Sequence, residues 1–462
     1  MVKHVGSKRN MNKVVTSAGL LAIGAATVYG LDPEMTRAKS GRPFTLAATV
    51  RGFYDDNSTT SPDKIFTLRN NGTTRVVDPR QESFGFEVSP SIHVNLPLEQ
   101  TFIRAGYIYS MRYYDGRSDN QVDQSHEFNA LLRHAFNARH DISLSDSFTY
   151  SSEPTVTDRF GIITAPTTLR TDITVLHNRA NLDYNIALTQ VLGLALGYGN
   201  NWYDYDDSGA GSRSARLDRL EHLIHADLRY QFNPSLVGIF GYQFGMNNYI
   251  GDQFIYDAPL AAASKPALLN PKSDIRDSYS HYVYAGVDHD FSHKLRGSVR
   301  IGGQFADYHE IGDSEFSPYA DASLTYLYMP ESSVQVGVRH MRNATDITSP
   351  DTQGKLTLDQ ETTVGFVQLT HRIMADLTGS LVGQVQHSTF NGGSVDGSSE
   401  DLFLLGINFE YRINYHWSVE LGYNYDMLDS PDITNKDPNS NRKLEGRSYD
   451  RNRVYVGVRA SY

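Results

Sequence analysis

The chain has 462 residues and a formal net charge of −11, from 42 Lys and Arg against 53 Asp and Glu. An acidic chain without basic tracts argues against nucleic acid as a partner. After the N-terminus no apolar run reaches the roughly 18 residues that a membrane-spanning helix needs, which excludes helical membrane spanning. Cysteine is absent, which fits an exported protein built without disulfides.

The first 30 residues are predicted to be a signal peptide. An apolar run of small residues from Val14 to Val28 follows a basic region that contains Lys3, Lys8, Arg9 and Lys13. The run is too short to span a membrane, and no second apolar helix follows it. A buried N-terminal helix is the alternative. We expect residues 31–43 to form a periplasmic linker and residues 44–462 to form a single domain.

From residue 44 onward, apolar residues recur at every second position. In one such segment the alternating residues are Ile103, Ala105, Tyr107, Tyr109 and Met111, opposed by Arg104, Ser110 and Arg112. These runs are about 10–14 residues long, whereas strands of globular proteins average roughly 5–6 residues. The greater length is typical of tilted strands that cross a membrane.

Connections between these runs alternate in length. Short turns such as Asn233-Pro234-Ser235 alternate with long polar segments such as Asp204 to Arg216, and eight short and nine long connections imply about 18 strands. We therefore predict an all-β fold: a closed, antiparallel, up-and-down transmembrane β-barrel with short periplasmic turns and long extracellular loops. A soluble propeller would instead repeat a blade motif of roughly 40–50 residues, and the sequence has no such repeat.

The last predicted strand ends the chain on its apolar face. That face carries Val454, Val456, Val458, Ala460 and Tyr462, while Arg453, Gly457, Arg459 and Ser461 alternate with them. A terminal aromatic on an alternating strand resembles the C-terminal signature of bacterial outer-membrane barrels. We predict that these five apolar-face residues form the signal that the barrel-insertion machinery recognises.

Assigning the apolar face to lipid makes the opposite face the lumen. The residues predicted to line the pore are Arg51, Arg104, Arg112, Arg179, Asp183, Arg296, Arg300, Arg339, Glu410, Arg412, Glu420 and Arg459. Across all lumen positions the positive and negative charges nearly cancel, so ion selectivity does not follow from their sum. Two interpretations stay open: a water-filled channel lined by charge, or a ladder of Arg–carboxylate pairs that stabilises the wall.

Few residues suggest chemistry. Asp288-His289-Asp290 is the densest acid–imidazole cluster, but it lies beside a predicted periplasmic turn. Asp204-x-Asp206 imitates the start of a calcium loop, yet Ala215 stands where a bidentate Glu is needed. We predict no catalysis, no cofactor and no metal site, since nucleophile and phosphate-binding motifs are also absent.

One short motif suggests a family. Arg51-Gly52-Phe53-Tyr54-Asp55-Asp56-Asn57 ends the first predicted strand and opens the first long loop. In a Cys-free barrel of this size it resembles the putative β-barrel porin 2 family, whose members often occur with exopolysaccharide systems. The resemblance implies an outer-membrane channel, and it transfers no catalytic residues.

The expected function is therefore a porin-like channel of the bacterial outer membrane for hydrophilic solutes, with a role in exopolysaccharide export. The alternative is a non-conducting structural or adhesive barrel that its own loops plug. A candidate plug is the loop Ile250 to Asp277, which contains the apolar segments 259–263 and 267–269. Expected partners are outer-membrane lipid and lipopolysaccharide, the insertion machinery, and a hydrophilic solute or polysaccharide.

Overall fold

The structure is a computed structural model that describes residues 43–61, 65–68, 74–77, 80–152, 173–256, 271–351, 354–430, 444–445 and 448–462. The predicted signal peptide (1–30) and all but the last residue of the predicted linker (31–43) lie outside the described residues. The same holds for the apolar segments 259–263 and 267–269.

Eighteen antiparallel strands form one closed sheet. They are β1 (Phe44–Asp55), β4 (Ser83–Pro97), β5 (Thr101–Tyr114), β6 (Val122–Asn137), β7 (His140–Ser151), β8 (Val175–Ala187), β9 (Leu192–Tyr205), β10 (Arg219–Asn233), β11 (Leu236–Tyr249), β12 (Ser278–Asp290), β13 (Leu295–Tyr308), β14 (Asp313–Met329), β15 (Ser332–Asn343), β16 (Thr357–Met374), β17 (Leu377–Gly392), β18 (Ser399–Arg412), β19 (Trp417–Asp429) and β21 (Tyr449–Ser461). Each strand pairs with its neighbours in chain order, and β1 closes the barrel by pairing with both β4 and β21. The predicted closed barrel of 18 strands is confirmed.

Short and long connections alternate as the sequence predicts, with one exception. The predicted long segment His309 to Glu315 is a turn of residues 309–312, no longer than three of the short turns, because β14 already begins at Asp313. The short turns are residues 98–100, 138–139, 188–191, 234–235, 291–294, 330–331, 375–376 and 413–416. Both Phe44 and Tyr462 lie at this short-turn end, where the two backbones exchange hydrogen bonds between Leu46 and Tyr462. All longer connections lie at the opposite, long-loop end.

A small separate sheet and one helical turn lie at the long-loop end of the barrel. Strands β2 (Ile65–Leu68), β3 (Thr74–Val77) and β20 (Leu444–Glu445) form a separate three-stranded sheet from the first and last long loops. One helical turn, α1 (Arg213–Leu217), begins after Ser212, whose side chain accepts a hydrogen bond from the Ala215 amide. Within the described part of the chain, no helix is long and apolar enough to cross a membrane.

The two faces of the wall differ as the alternation predicts. On β13, Val299 and Ile301 are 39% and 65% exposed, whereas Arg300 and Gln304 are 6% and 2% exposed. The arginine therefore faces the interior and the apolar residues face outward. If the strand shifted its register by one residue, its arginine side chains would face the hydrocarbon of the membrane. Each guanidinium group there would cost about 2–4 kcal/mol of stability near the midplane.

Candidate functional site: the lumen

The lumen wall near the barrel seam carries a four-residue charge network. Arg51 donates to Glu87 at 2.9 Å and to Glu420 at 2.5 Å, and Arg112 donates to Glu87 at 2.8 Å. Glu87 also accepts from the Ser89 hydroxyl at 2.8 Å and is only 6% exposed. Each charge has an opposite partner, so the network adds little net field to the lumen.

Asp55 forms a second network above the first, at the long-loop end. Its carboxylate is fully buried and accepts from Arg451 and, at 3.1 Å, from Arg453. Arg453 also donates to the Tyr114 hydroxyl at 2.7 Å. The sequence analysis placed Asp55 only in the motif that opens the first long loop. Its parity with Arg51 is the signal that could have placed it on the lumen face.

Asp288 lies between two arginines on the wall formed by β10 to β13. Arg229 donates to one carboxylate oxygen at 2.8 Å and Arg300 to the other at 2.7 Å, and all three residues are nearly inaccessible to solvent. The neighbouring His289 points outward, where its Nδ1 lies 3.0 Å from the Ser235 carbonyl oxygen. Strand alternation thus separates the Asp-His-Asp cluster that the sequence singled out.

Other predicted pore residues lie at the short-turn rim. Arg296 pairs with Asp290 at 2.6 Å and Arg412 with Asp376 at 3.1 Å, and both arginines are about half exposed. Glu410 lies directly opposite Glu420 in the sheet register.

Two further predicted residues, Arg104 and Arg459, lie on the lumen face of β5 and β21. Arg104 is 6% exposed and Arg459 is half-buried. The predicted insertion residues lie on the outward face: Val454, Val456, Val458 and Tyr462 are exposed and Ala460 is half-buried. Their recognition by the insertion machinery stays a prediction.

A cavity of about 450 Å³ brings the remaining predicted residues together. Arg179, Asp183, Arg300 and Arg339 all line it, and Arg339 pairs with Asp321 at 2.6 Å. The predicted pore residues do not include the rest of the lining. It contains the pair Arg219–Glu221 at 2.8 Å, the tyrosines Tyr203, Tyr282 and Tyr319, and the amides Asn181, Gln243 and Gln304. Alternation in the sequence already places Glu221, Asn181 and Gln304 on the lumen face, but it does not bring them together.

Asn343 at the end of β15 and residues 344–346 of the loop between β15 and β16 border the cavity at its long-loop end, and we call these four residues its roof. Arg276, from the loop between β11 and β12, holds this roof from one side. Its buried guanidinium donates to the Thr345 carbonyl at 3.1 Å and to the Arg216 carbonyl, and lies 4.1 Å from the centre of the Tyr249 ring. The described parts of three long loops, 206–218, 250–256 with 271–277, and 344–351 with 354–356, are thereby joined. We call them the cap.

Further contacts fix the cap from both sides. Ile255 and Leu356 belong to one buried apolar cluster, so the first part of the 250–277 loop packs against the last part of the 344–356 loop. On the other side, Gly393 has a φ of +68° and approaches so closely that a Cβ would lie 2.0 Å from the Ser349 carbonyl oxygen. Only glycine fits there. The roof is therefore a packed part of the fold.

Two carboxyl groups in the cap are shifted toward their neutral form. Burial raises the pKa of Asp218, although its carboxylate accepts from the Ser214 hydroxyl at 2.5 Å and the Tyr205 amide at 2.8 Å. Burial also raises the pKa of Asp277, which accepts from the Tyr249 amide at 2.7 Å. In both carboxyl groups the loss of hydration raises the pKa by more than the hydrogen bonds lower it.

The described residues hold no group of three or more His, Asp or Glu side chains in a metal-binding arrangement. In the acidic segment Asp204 to Asp207, which imitates a calcium loop in sequence, Asp206 accepts a hydrogen bond from the Tyr150 hydroxyl at 3.3 Å and Asp207 bonds within the cap. Asp207 accepts hydrogen bonds from the backbone amides of Ser208 at 2.9 Å and Arg213 at 2.9 Å.

Comparison with known proteins agrees with this architecture. Residues 272–462 match the model of a family described as putative beta-barrel porin 2, which confirms the resemblance predicted from the first strand. The chain is thus a porin-like barrel of the bacterial outer membrane. No curated protein matches it.

Solved structures similar to this chain include OpdQ from Pseudomonas aeruginosa, at 11% identity, 90% coverage of this chain, 98% of that chain and a TM-score of 0.38. OccK11 from the same organism has 12% identity, coverage of 91% and 96%, and a TM-score of 0.38. The FrpB iron transporter from Neisseria meningitidis has 10% identity, coverage of 93% and 84%, and a TM-score of 0.41.

Proposed function

We propose that this barrel is a channel through which hydrophilic solutes cross the outer membrane, and that uncharged polysaccharide is among the solutes it exports. The proposal assigns no catalytic step to the chain. It rests on one observation above all: the roofed cavity in the lumen, whose charged side chains are largely paired with each other.

Paired charges favour neutral solutes. Arg339–Asp321 and Arg219–Glu221 at 2.6 and 2.8 Å satisfy each other, so an ion that enters gains little from either sign. The neutral groups between them, such as Asn181 and Gln304, offer both donors and acceptors. A polyhydroxylated chain can exchange its water hydrogen bonds for these groups without displacing an ion pair.

The roof sets the size limit in this proposal. Residues 343–346 cover the cavity from the long-loop end, and the buried Arg276 holds them in place. A solute that follows the wall formed by β8 to β17 meets the roof before it leaves the barrel. We therefore expect small hydrophilic solutes to pass faster than long ones, unless the roof opens.

The test is conduction by purified barrel in planar bilayers, combined with swelling of liposomes in neutral sugars of increasing size. We expect stepwise conductance with little preference between cation and anion, and swelling rates that fall with sugar length. Ser298→Cys places a thiol in the cavity lining. A bulky adduct at this position should reduce conductance, whereas the same adduct on the outward-facing Val299→Cys should not.

A non-conducting barrel plugged by its own loops is the second candidate. The observation that favours it is the tight packing of the cap, with Ile255, Tyr308 and Leu356 in one buried cluster. Folded protein that gives neither conductance nor swelling, even with Arg276→Leu loosening the roof, would contradict the channel. Conductance with swelling confined to short sugars would support the channel and contradict polysaccharide export.

A further inference from the structure

Three outward-facing tyrosine–histidine pairs lie at one height on the wall formed by β5 to β12. Tyr107, Tyr198 and Tyr242 are each the sixth residue after the first residue of a 14-residue strand that starts at a short turn. Each phenol oxygen lies 2.8 Å from Nδ1 of a histidine on the following strand, and these histidines are His126, His222 and His281.

The three pairs share one geometry. Directly opposite each tyrosine in the register stands an apolar residue, namely Phe128, Ile224 and Val283, and the histidine lies two positions nearer the long loops. Residues two apart on a strand share a face, so strand parity places both members of each pair on the outward face. Tyr198 and His222 in addition border the lumen cavity. The tyrosines are 39%, 40% and 42% exposed.

Each pair keeps one proton donor for an outside partner. A neutral phenol and a neutral imidazole carry one donor proton each, and the hydrogen bond between them uses only one. If the tyrosine donates, the histidine Nε2–H remains; if the histidine donates, the phenol O–H remains. Hydrocarbon cannot accept this hydrogen bond, whereas a phosphate oxygen accepts it strongly.

The height of the pairs matches a lipid headgroup. His126 and His222 lie 11 residues, and His281 nine residues, from the short-turn end of their strands. At roughly 3.3 Å per residue and a tilt of about 40°, these positions are about 23–28 Å above that end. The apolar band of a bacterial barrel is about 25 Å tall, so the histidines lie at its far edge.

Among the described residues, tyrosine–histidine pairs at this height are confined to one side of the barrel. Two others, Tyr184–His140 at 2.9 Å and Tyr328–His371 at 2.8 Å, lie near short turns. On β1, β13 and β15 the corresponding sixth residues are the apolar Val50, Ile301 and Val338, and on β19 the tyrosine at this position, Tyr423, donates to Asn452 instead of a histidine. On β7 the position holds Asp146, whose carboxylate accepts from the Asn178 amide at 2.6 Å. This carboxylate separates the first pair from the other two, so an anion would bind at the pairs and not between them.

We propose that the wall formed by β5 to β12 docks phosphate groups of outer-leaflet lipid through these three pairs. The wall is continuous with the lipid-facing surface of the barrel. With the long loops outside the cell, the pairs meet the outer leaflet. Phosphorylated lipid would therefore bind one side of the barrel in preference to the other.

The test is native mass spectrometry of the purified barrel in detergent, titrated with diphosphorylated lipid A and with the same glycolipid after removal of its phosphates. We expect the intact chain to bind the phosphorylated form about tenfold more tightly, as one charge-assisted hydrogen bond implies. The triple variant His126→Phe, His222→Phe and His281→Phe should lose this preference. Excess inorganic phosphate should leave the lipid bound.

A matched control replaces three histidines at the short-turn end whose Nδ1 contacts no tyrosine hydroxyl: His134→Phe, His289→Phe and His416→Phe. This variant should keep the preference. Heat-dependent migration in gels shows whether each variant has folded, and His281→Phe alone, which should weaken binding partially, serves if the triple variant does not fold. Equal binding of both glycolipids by the intact chain would overturn the proposal. Retained preference in the outer triple variant, or displacement of lipid by inorganic phosphate, would also contradict it.

Discussion

Replacing Arg276 should open the roof of the lumen. Its guanidinium is completely buried and donates to the carbonyl oxygens of Thr345 and Arg216. In Arg276→Leu both acceptors lose their donor, at about 1–3 kcal/mol for each buried group. The contact with the Tyr249 ring, 4.1 Å away, is lost as well, at about 1–2 kcal/mol.

The net change is smaller than the sum, because a buried guanidinium has itself lost its hydration. A net loss of about 3 kcal/mol is a reasonable expectation, and it would raise the open fraction of the roof about 100-fold. Arg276→Lys keeps the charge but not the fork of donors, so its effect should be intermediate.

A reporter cysteine can measure this opening, since the chain has none of its own. Ile347 is 4% exposed and packs with Phe390 and Val395, so Ile347→Cys should react slowly with a hydrophilic thiol reagent. The reaction should accelerate strongly when Arg276→Leu is added. Ser118→Cys, in an exposed loop away from the cap, should react equally in both backgrounds. Equal rates at position 347 would refute the role of Arg276.

Three further predictions follow from the lumen and the cap. Asp288→Leu removes the buried carboxylate that Arg229 and Arg300 share, so the free energy of unfolding should fall by about 3–5 kcal/mol, seen as a lower transition temperature in heat-dependent gel migration; unchanged stability would argue against the network. Ser298→Cys should react with a hydrophilic thiol reagent and Val299→Cys only with a lipid-soluble one. The opposite result would show that the lumen and lipid faces of the wall are assigned the wrong way round. Burial raises the pKa of Asp218 and Asp277, so the folded cap binds their protons more tightly than an open one. Its stability should be greatest at low pH and fall from about pH 4 upward, and labelling of the reporter cysteine that slows as pH rises would contradict this.

Alternation within strands predicted most of the barrel, because a side-chain period of two fixes the face of every residue once one face is assigned. Arg300 and Val299 lie on the two faces that the pattern indicates. Contacts between long loops were beyond this reasoning. That residues 343–346 border the long-loop end of the cavity could not be predicted, because the burial of Arg276 and Ile255 beside them depends on how several loops meet.

The contacts within the tyrosine–histidine pairs could not be predicted from the sequence alone either. Tyr107 and His126 are both recognisable as outward-facing, but their contact depends on the register of β5 and β6. Register follows from the length of a turn and the pairing of the whole hairpin, so a local pattern does not supply it. The same limit applies to Asp55, whose partners lie near the other end of the chain.

Closure of the sheet has a consequence for how the chain folds. Every barrel strand except the first and last can pair with its neighbours while the chain is still being delivered, because those neighbours are close in sequence. β1 must wait for β21, and the contact between Asp55 and Arg451 spans 396 positions. Loop-closure entropy makes such a contact slow to form. The pairing of β2 with β20 brings the first and last loops together beside the same junction. Permuted chains that begin and end in another long loop would move this slow step to a new place, and their assembly rates would show whether it limits folding.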